Sequence, residues 1–208
     1  MKEKKISIFK PYNDLCKCIY IHIPKVAGIS IEEALFREKV GHKWALMYKG
    51  EDKQKFNDYF KFSFVRNPYD RLASAFFFLK NGGRNEFDKK WSEENLSAIE
   101  DFTHFIQNLQ NEVFREKVLK WTHFIPQYKY VCDQKGEIIV DYIGKFETLH
   151  NDFSHVADTL GIPVHLSHQN KTSNKKDYRT LYTEDMQETV YRLYQKDFEL
   201  FDYDFHIG

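Results

Sequence analysis

Cysteine is scarce in this sequence, and its three cysteines show no pairing pattern. Cys16, Cys18 and Cys132 form an odd set without a Cys-x-x-Cys spacing, which argues against a disulfide framework and against a structural zinc site. The nine histidines are scattered, with no His-Glu-x-x-His arrangement. We therefore expect a protein of a reducing compartment, the cytoplasm, that uses no metal ion.

Long apolar runs and an excess of charge of one sign are also missing. No apolar segment approaches the roughly 20 residues that a membrane-spanning helix needs, so we expect no membrane insertion. Lysine plus arginine equal aspartate plus glutamate at 31 each, so no overall field attracts the chain to nucleic acid. Anion binding must therefore depend on local sites.

What the sequence does have is a globular composition in which strand and helix patterns alternate. Its 208 residues, 42% hydrophobic and 17% aromatic, suit one domain of residues 1–208 with a substantial core. This alternation predicts an α/β fold of three layers, P-loop-like, with a central parallel sheet flanked by helices. The predicted strands are 18–23, 61–65 and 138–143; the predicted helices are 29–37, 68–80, one capped at Ser97 that runs to Leu109, 113–121, 149–160 and one capped at Thr183; residues 81–95 are predicted to be a surface loop.

The most informative segment is Ile-Tyr-Ile-His-Ile-Pro-Lys-Val-Ala-Gly-Ile-Ser, residues 19–30. A buried strand here leads into a loop that opens a helix, and the start of a helix offers backbone N–H groups and a positive dipole end to an anion. Gly28 lets the backbone approach an oxyanion closely, and Lys25 adds a cation. We call residues 24–30 the Lys25 loop and expect it to bind a phosphate or sulfate group.

Two further features of this segment guide its interpretation. The lysine precedes the lone glycine, so the Gly-x-x-x-x-Gly-Lys-Ser/Thr order of Mg-nucleotide kinases is absent. Glu32 and Glu33 lie near the start of the predicted helix, where carboxylates suit the positive end of the dipole. His22 lies inside the strand and is expected to be a packed or partly buried polar residue.

A second strand-to-helix turn carries arginine and serine. The strand ends before Arg66, Asn67 and Pro68 are suited to begin a helix, and Ser74 follows about two turns later. An arginine fork binds phosphate in a bidentate manner and serine donates a further hydrogen bond, so a second phosphate is expected here. A plain ion pair between Arg66 and Asp70 is the alternative. Both turns follow strand ends, so we expect them to face one cleft.

The two turns together resemble the sulfotransferases that use 3'-phosphoadenosine 5'-phosphosulfate (PAPS), in particular the carbohydrate-directed branch with heparan and chondroitin sulfotransferases. Their phosphosulfate loop typically reads Pro-Lys-Thr-Ala-Gly-Thr-Ser, similar to Pro24–Ser30, and their 3'-phosphate motif is similar to Arg66–Phe76 nearly residue for residue. The resemblance extends from about Ile19 to Phe205 and is weakest between Asn81 and Trp121.

The resemblance implies roles for individual residues. Donor contacts are expected from Lys25, Val26, Ala27, Gly28, Ile29, Ser30, Arg66, Ser74, Lys171 and Ser173. Lys25 would stabilise charge on the leaving phosphate, and His42, in a Gly-His pair similar to that of some family members, would be the base. An ordinary loop histidine is the alternative for His42, as a solvated basic loop is for the segment around Lys171. This branch of the family implies that the acceptor is a hydroxyl group of a carbohydrate.

Alternatives to a sulfotransferase remain open at this point. Val26 and Ile29 stand where the family more often has hydroxyl residues, which keeps a non-catalytic nucleotide-binding or glycan-binding protein in consideration. A phosphotransferase with a related loop is the other alternative. Eukaryotic members of the family are commonly anchored in Golgi membranes, whereas this sequence starts without an anchor, so we expect a cytoplasmic enzyme.

Overall fold

A computed structural model describes residues 7–166 and 177–207, and these residues form two compact units. Among the described residues, the first unit comprises 7–65 and 127–166 and the second comprises 66–126 and 177–207. Lys171 and Ser173, both predicted to contact the donor, lie outside the described residues.

The described residues form α-helices and a small parallel sheet. The strands are β1 (Cys18–Ile21), β2 (Phe60–Val65) and β3 (Tyr142–Lys145). The helices are α1 (Pro11–Cys16), α2 (Gly28–Leu35), α3 (Ala45–Glu51), α4 (Lys53–Asp58), α5 (Pro68–Lys80), α6 (Glu86–Leu96), α7 (Phe102–Asn108), α8 (Glu112–Lys120), α9 (Tyr128–Val131), α10 (Leu149–Leu160) and α11 (Glu184–Leu200), with short 3-10 helices at Phe146–Thr148 and Tyr178–Leu181. The expectation of a mixed α/β fold with a parallel sheet is confirmed.

The sheet belongs to the first unit and has β2 at its centre. Both pairings are parallel, with Cys18 opposite Phe60 and Phe62 opposite Tyr142. β1 is buried along its whole length, as expected for a strand of a covered parallel sheet. The Ser63 hydroxyl donates to the carbonyl oxygen of Ile21 at 2.7 Å, which links β2 to the end of β1. The carboxyl ends of the strands therefore share one edge, and the Lys25 loop leaves β1 there.

Helix α10 lies close to β3 because residue 144 is glycine. A Cβ added at Gly144 would lie 2.6 Å from the Phe64 ring and 2.8 Å from Cβ of Asp152. The Asp152 carboxylate accepts from the backbone N–H of Lys145 at 2.9 Å and from the Tyr142 hydroxyl at 2.7 Å. These bonds anchor the helix to the strand at the same edge of the sheet.

The second unit is built around an aromatic core. Helix α11 contacts both α5 and α7. Aromatic rings join α5 to these two helices, with centroids 4.9 Å apart for Phe76 and Phe105 and also for Tyr69 and Phe198. The buried Tyr182 hydroxyl donates to the carbonyl oxygen of Tyr69 at 2.8 Å, so it is satisfied inside the core. This packing holds α5, which carries Ser74, in place.

Three local predictions differ from the structure. Residues 81–95 are not a loop: Asn85 caps α6 by accepting from the N–H of Asp88 at 2.9 Å, and the many charges of this helix obscured its pattern. Helix α7 is capped by Asp101 rather than Ser97. The third strand begins at Tyr142, because Ile138 lies in an isolated antiparallel bridge with Cys132 instead.

Candidate functional site

The Lys25 loop connects β1 to α2 through a backbone that non-glycine residues rarely adopt. Lys25 and Ala27 both have positive φ angles, 72° and 61°. Such conformations cost on the order of 1 kcal/mol or more each, and they concentrate at ligand clamps and active sites. The turn is held open by the structure around it, and it is not a relaxed connection.

The start of α2 is arranged like an anion site. Ala27 occupies the N-cap position, and no side chain caps the helix. The N–H groups of Ser30 and Ile31 both donate to the Ala27 carbonyl oxygen, at 3.0 and 3.3 Å. The earlier N–H groups, at Gly28 and Ile29, face the region where an anion binds at a helix start. Lys25 is half-buried beside them in the chain.

The two positions without hydroxyl groups in the Lys25 loop have opposite environments. The Val26 side chain is completely buried, whereas Ile29 is 54% exposed. A hydroxyl at position 26 would therefore point into the interior of the unit. Of these two positions, only position 29 has a solvent-exposed side chain, and that side chain is apolar.

A buried, hydrogen-bonded pair of a histidine and a glutamate lies next to this loop. Nδ1 of His22 lies 2.6 Å from Oε1 of Glu32, and both residues are 6% exposed. The same oxygen accepts the backbone N–H of Val40 at 3.0 Å, and the N–H of the neighbouring Gly41 also lowers the pKa of this carboxylate. Burial by itself would raise the pKa of Glu32, but these hydrogen bonds and the nearby His22 outweigh it and lower the pKa. The carboxylate is therefore ionised at neutral pH.

Glycine at position 28 is required by His22. A Cβ added at Gly28 would lie 1.9 Å from Nε2 of His22 and within 2.6 Å of two of its ring carbons. The sequence predicted a close approach of the backbone to an oxyanion; the structure adds that the His22 ring occupies the space of the missing side chain. The start of α2 is therefore packed against the imidazole ring of His22.

His42 lies at the end of β1, next to His22. Its Nδ1 is 3.1 Å from the carbonyl oxygen of His22, and the two imidazole centroids are 4.4 Å apart at an angle of 64°. Because a carbonyl oxygen only accepts, Nδ1 must carry the hydrogen, so Nε2 of the neutral ring is an acceptor. The side chain is exposed. The structure therefore brings a base-competent histidine to the strand end from which the Lys25 loop departs.

The second predicted phosphate site belongs to the other unit. Arg66 and Asp70 are both buried, and Nε and Nη2 of Arg66 lie 2.8 and 2.6 Å from the Oδ2 atom of Asp70. The alternative considered for Arg66, an ion pair with Asp70, is thus present. Ser74 is half-buried two turns into α5. Phosphate binding by Arg66 and Ser74 stays a prediction.

The sequence alone did not indicate the contacts of Glu32. It placed this carboxylate near the positive end of the helix dipole, but α2 begins at Gly28 and has no acidic residue in its first turn. A histidine inside an apolar strand was the available signal, because a buried polar side chain requires a hydrogen-bond partner.

The chain matches the sequence profile of the Sulfotransferase family over residues 12–204. It is 27% identical to carbohydrate sulfotransferase 14 of Danio rerio over 74% of this chain and 48% of that protein. It is 29% identical to carbohydrate sulfotransferase 12 of Mus musculus, over 73% of this chain and 42% of that protein. The chain thus spans about half the length of these curated relatives. An uncharacterized protein of Archaeoglobus fulgidus is 27% identical over 62% of this chain and 90% of its own length.

The comparisons correct the predicted cytoplasmic location. The matched relatives are carbohydrate sulfotransferases, the branch whose eukaryotic members are commonly anchored in Golgi membranes, so the expectation of a cytoplasmic enzyme is wrong. That expectation depended on the unpaired cysteines and on the start of the sequence, and the start is uninformative in a chain that spans half its relatives. Among residues 7–166 and 177–207, no helix combines the length and apolar character needed to cross a membrane.

Proposed function

Because the chain belongs to the sulfotransferase family, we propose that it transfers a sulfuryl group from PAPS to a hydroxyl group of a carbohydrate. The observation that carries this proposal is the arrangement at the end of β1, where the Lys25 loop and His42 meet in one unit. The names of the relatives favour a carbohydrate acceptor. The three-layer arrangement and the single domain of residues 1–208 are part of the same proposal.

The Lys25 loop fits the phosphosulfate end of such a donor. Its strained turn, the uncapped start of α2 and the Lys25 ammonium all favour a group with negative charge. Val26 is buried, so its contribution would come from the backbone, as would those of Ala27, Gly28 and Ile29; Ser30 adds a hydroxyl one turn into the helix.

The donor supplies a sulfuryl group whose bond to the 5'-phosphate oxygen breaks as the acceptor oxygen forms a new bond to sulfur. Nε2 of His42 accepts the proton of the attacking hydroxyl, which leaves a sulfate ester and an imidazolium that later returns its proton to solvent. Lys25 and the start of α2 stabilise the negative charge that develops on the leaving phosphate. The scheme needs no metal ion.

The remaining donor contacts follow from the family resemblance. Arg66 and Ser74 would bind the 3'-phosphate, with Asp70 holding the guanidinium in one orientation. Lys171 and Ser173 would close over the nucleotide. These residues determine donor affinity more than the rate of bond formation.

The donor assignment is tested by calorimetric titration with 3'-phosphoadenosine 5'-phosphate (PAP) and, separately, with ATP. We expect tight binding of PAP and weak binding of ATP, because the chain lacks the Gly-x-x-x-x-Gly-Lys-Ser/Thr order. Equal affinity for both ligands, or a preference for ATP, would refute the assignment and favour the phosphotransferase alternative.

The transfer step is tested with radiolabelled PAPS and a panel of glycans. His42→Ala should retain PAP binding and lose transfer by at least about 100-fold, the range of general base catalysis. His165→Ala is the matched control, since His165 is exposed in the same unit. Full transfer by His42→Ala would remove His42 from the mechanism. PAP binding without transfer to any glycan would identify a donor-binding protein and not an enzyme.

A further inference from the structure

We propose that Glu32 is a positioning residue, which holds His42 in place for proton transfer through two connections, one to the backbone before His42 and one to His22. This inference rests on the proposed function for its catalytic part. Its structural part can be tested without any turnover.

The Glu32 carboxylate joins three separate segments of the first unit. It extends from the second turn of α2, pairs with Nδ1 of His22 at 2.6 Å after the end of β1, and accepts the N–H of Val40 at 3.0 Å. One buried side chain thus fixes the spacing between α2, the end of β1 and residues 40–41.

Both connections lead to His42. Val40 lies two residues before it, so the hydrogen bond from the Val40 N–H anchors the backbone that leads to His42. The His42 ring in turn bonds through Nδ1 to the carbonyl oxygen of His22 at 3.1 Å, and the His22 side chain is held by Glu32. The backbone and the ring of His42 are therefore restrained by the same carboxylate.

This restraint matters because His42 is exposed. An exposed side chain samples several rotamers, and a base contributes only in the rotamer that directs its unprotonated nitrogen at the acceptor proton. The His22 carbonyl selects both the rotamer and the tautomer of His42, and Glu32 sets where that carbonyl lies relative to residues 40–41. Ionised at neutral pH, Glu32 gives both connections the strength of hydrogen bonds to a charged group.

A purely structural role for Glu32 makes different predictions. In that case its removal would weaken the fold and lower activity by the same factor whether or not His42 is present. If Glu32 acts through His42, its removal should matter in the wild-type background and lose most of its effect once His42 is absent.

The experiment compares Glu32→Ala, Glu32→Gln and the control Glu33→Gln, each with and without His42→Ala. Glu33 is the neighbouring carboxylate on α2 and is exposed. We expect Glu32→Ala to lower kcat about 100-fold, with donor KM changed by less than about twofold, and to change kcat by less than about twofold in the His42→Ala background. Glu32→Gln keeps an oxygen for the Val40 N–H group, so its loss should be smaller, about tenfold. Equal losses in both backgrounds would overturn the inference.

Two measurements need no activity. Amide hydrogen exchange at Val40 should accelerate strongly in Glu32→Ala, only slightly in Glu32→Gln and not in Glu33→Gln. Nitrogen-15 spectra of His42 should show a protonated Nδ1 in wild type and a mixture of tautomers in Glu32→Ala. Unchanged exchange and an unchanged tautomer would overturn the inference even if transfer is confirmed.

If the wild type transfers no sulfate, the proposed function fails, and these spectra alone decide whether Glu32 positions His42. If Glu32→Ala does not fold, the same exchange and nitrogen-15 measurements on Glu32→Gln and wild type test the inference instead.

Discussion

The two strand-to-helix turns of this protein have the same order of elements but begin their helices in opposite ways. After β1, Ala27 precedes α2 and no side chain caps the helix. After β2, the Asn67 side chain accepts the N–H of Tyr69 at 2.9 Å, and Pro68 removes a donor altogether. In the first turn no side chain caps the N–H groups at the start of α2, so they can bind a ligand. In the second turn Asn67 caps the helix, so phosphate binding there depends on side chains such as Arg66.

The largest expected effect is on stability, and it compares the buried ion pair of the second turn with an exposed ion pair. Arg66→Ala should lower the free energy of unfolding by about 3–5 kcal/mol, because it removes the cation that neutralises the buried Asp70 carboxylate. Urea unfolding measures this change. The double variant Arg66→Ala with Asp70→Ala should recover part of the loss.

The matched control for Arg66 is Arg192→Ala. Arg192 also pairs with a carboxylate four residues away, Glu188, but both side chains are exposed, and such pairs contribute at most about 1 kcal/mol. Equal small losses for both arginine variants would show that the burial of Arg66 has no energetic consequence.

The next effect concerns the cation of the first turn. Lys25→Ala should reduce sulfate transfer by about 100- to 1,000-fold, the range observed when one group that stabilises developing negative charge is removed. Its unfolding free energy should change by no more than about 1 kcal/mol, the centre of the range for single substitutions. Lys39→Ala is the control, since Lys39 is an exposed lysine of the same unit. A loss of transfer below tenfold for Lys25→Ala would argue against a role in bond breaking.

A third effect tests how closely the first turn rests on His22. Gly28→Ala should lower stability by about 1–3 kcal/mol, because its Cβ would lie 1.9 Å from Nε2 of the buried His22 ring. Gly50→Ala provides the contrast: nothing lies within 4 Å of a Cβ at that position in α3. It should stabilise the protein by about 0.5–1 kcal/mol through its helix propensity. Thermal unfolding of both variants measures the difference, and stabilisation by Gly28→Ala would contradict the described packing.

The last pair of variants restores the hydroxyl groups that the first turn lacks, and it includes the smallest expected effect, that of Ile29→Thr on binding. Val26→Thr should destabilise by about 1–3 kcal/mol, because Val26 is completely buried and the new hydroxyl would lie in the interior. Ile29→Thr places its hydroxyl on the exposed side of the first helical turn. It should tighten PAP binding about fivefold, the value of one added hydrogen bond. Calorimetry with PAP and a melting curve for each variant measure both effects; improved binding in Val26→Thr alone would reverse this assignment.

Features encoded within a few residues were predicted well from the sequence. Asn67 and Pro68 begin α5, Gly161 ends α10, and Thr183 caps α11, all as expected. Each is a local choice between the backbone and a neighbouring side chain. Helix α6 was missed because its charged residues, such as Lys89, Lys90, Glu93 and Glu94, obscured the few apolar positions that face the core.

The candidate site was predicted only in part, for a related reason. The sequence indicated Lys25, Gly28 and His42 through motif resemblance, but it did not indicate that Glu32 holds His22 and residues 40–41. His22 and Glu32 lie ten residues apart on different elements, and no periodicity marks such a pair. The path of the chain from β1 through the Lys25 loop into α2 brings the two side chains together.

The sequence by itself determined that a strand leads through a lysine-bearing turn into a helix, and that the chain carries the motifs of a sulfotransferase. These properties follow from backbone preferences and from short runs of residues. Only the tertiary structure decided that Val26 points inward and Ile29 outward, that His42 bonds to the His22 carbonyl, and that Arg66 is paired with Asp70. The orientation of a side chain depends on which distant segments surround it, and that is settled when the chain packs.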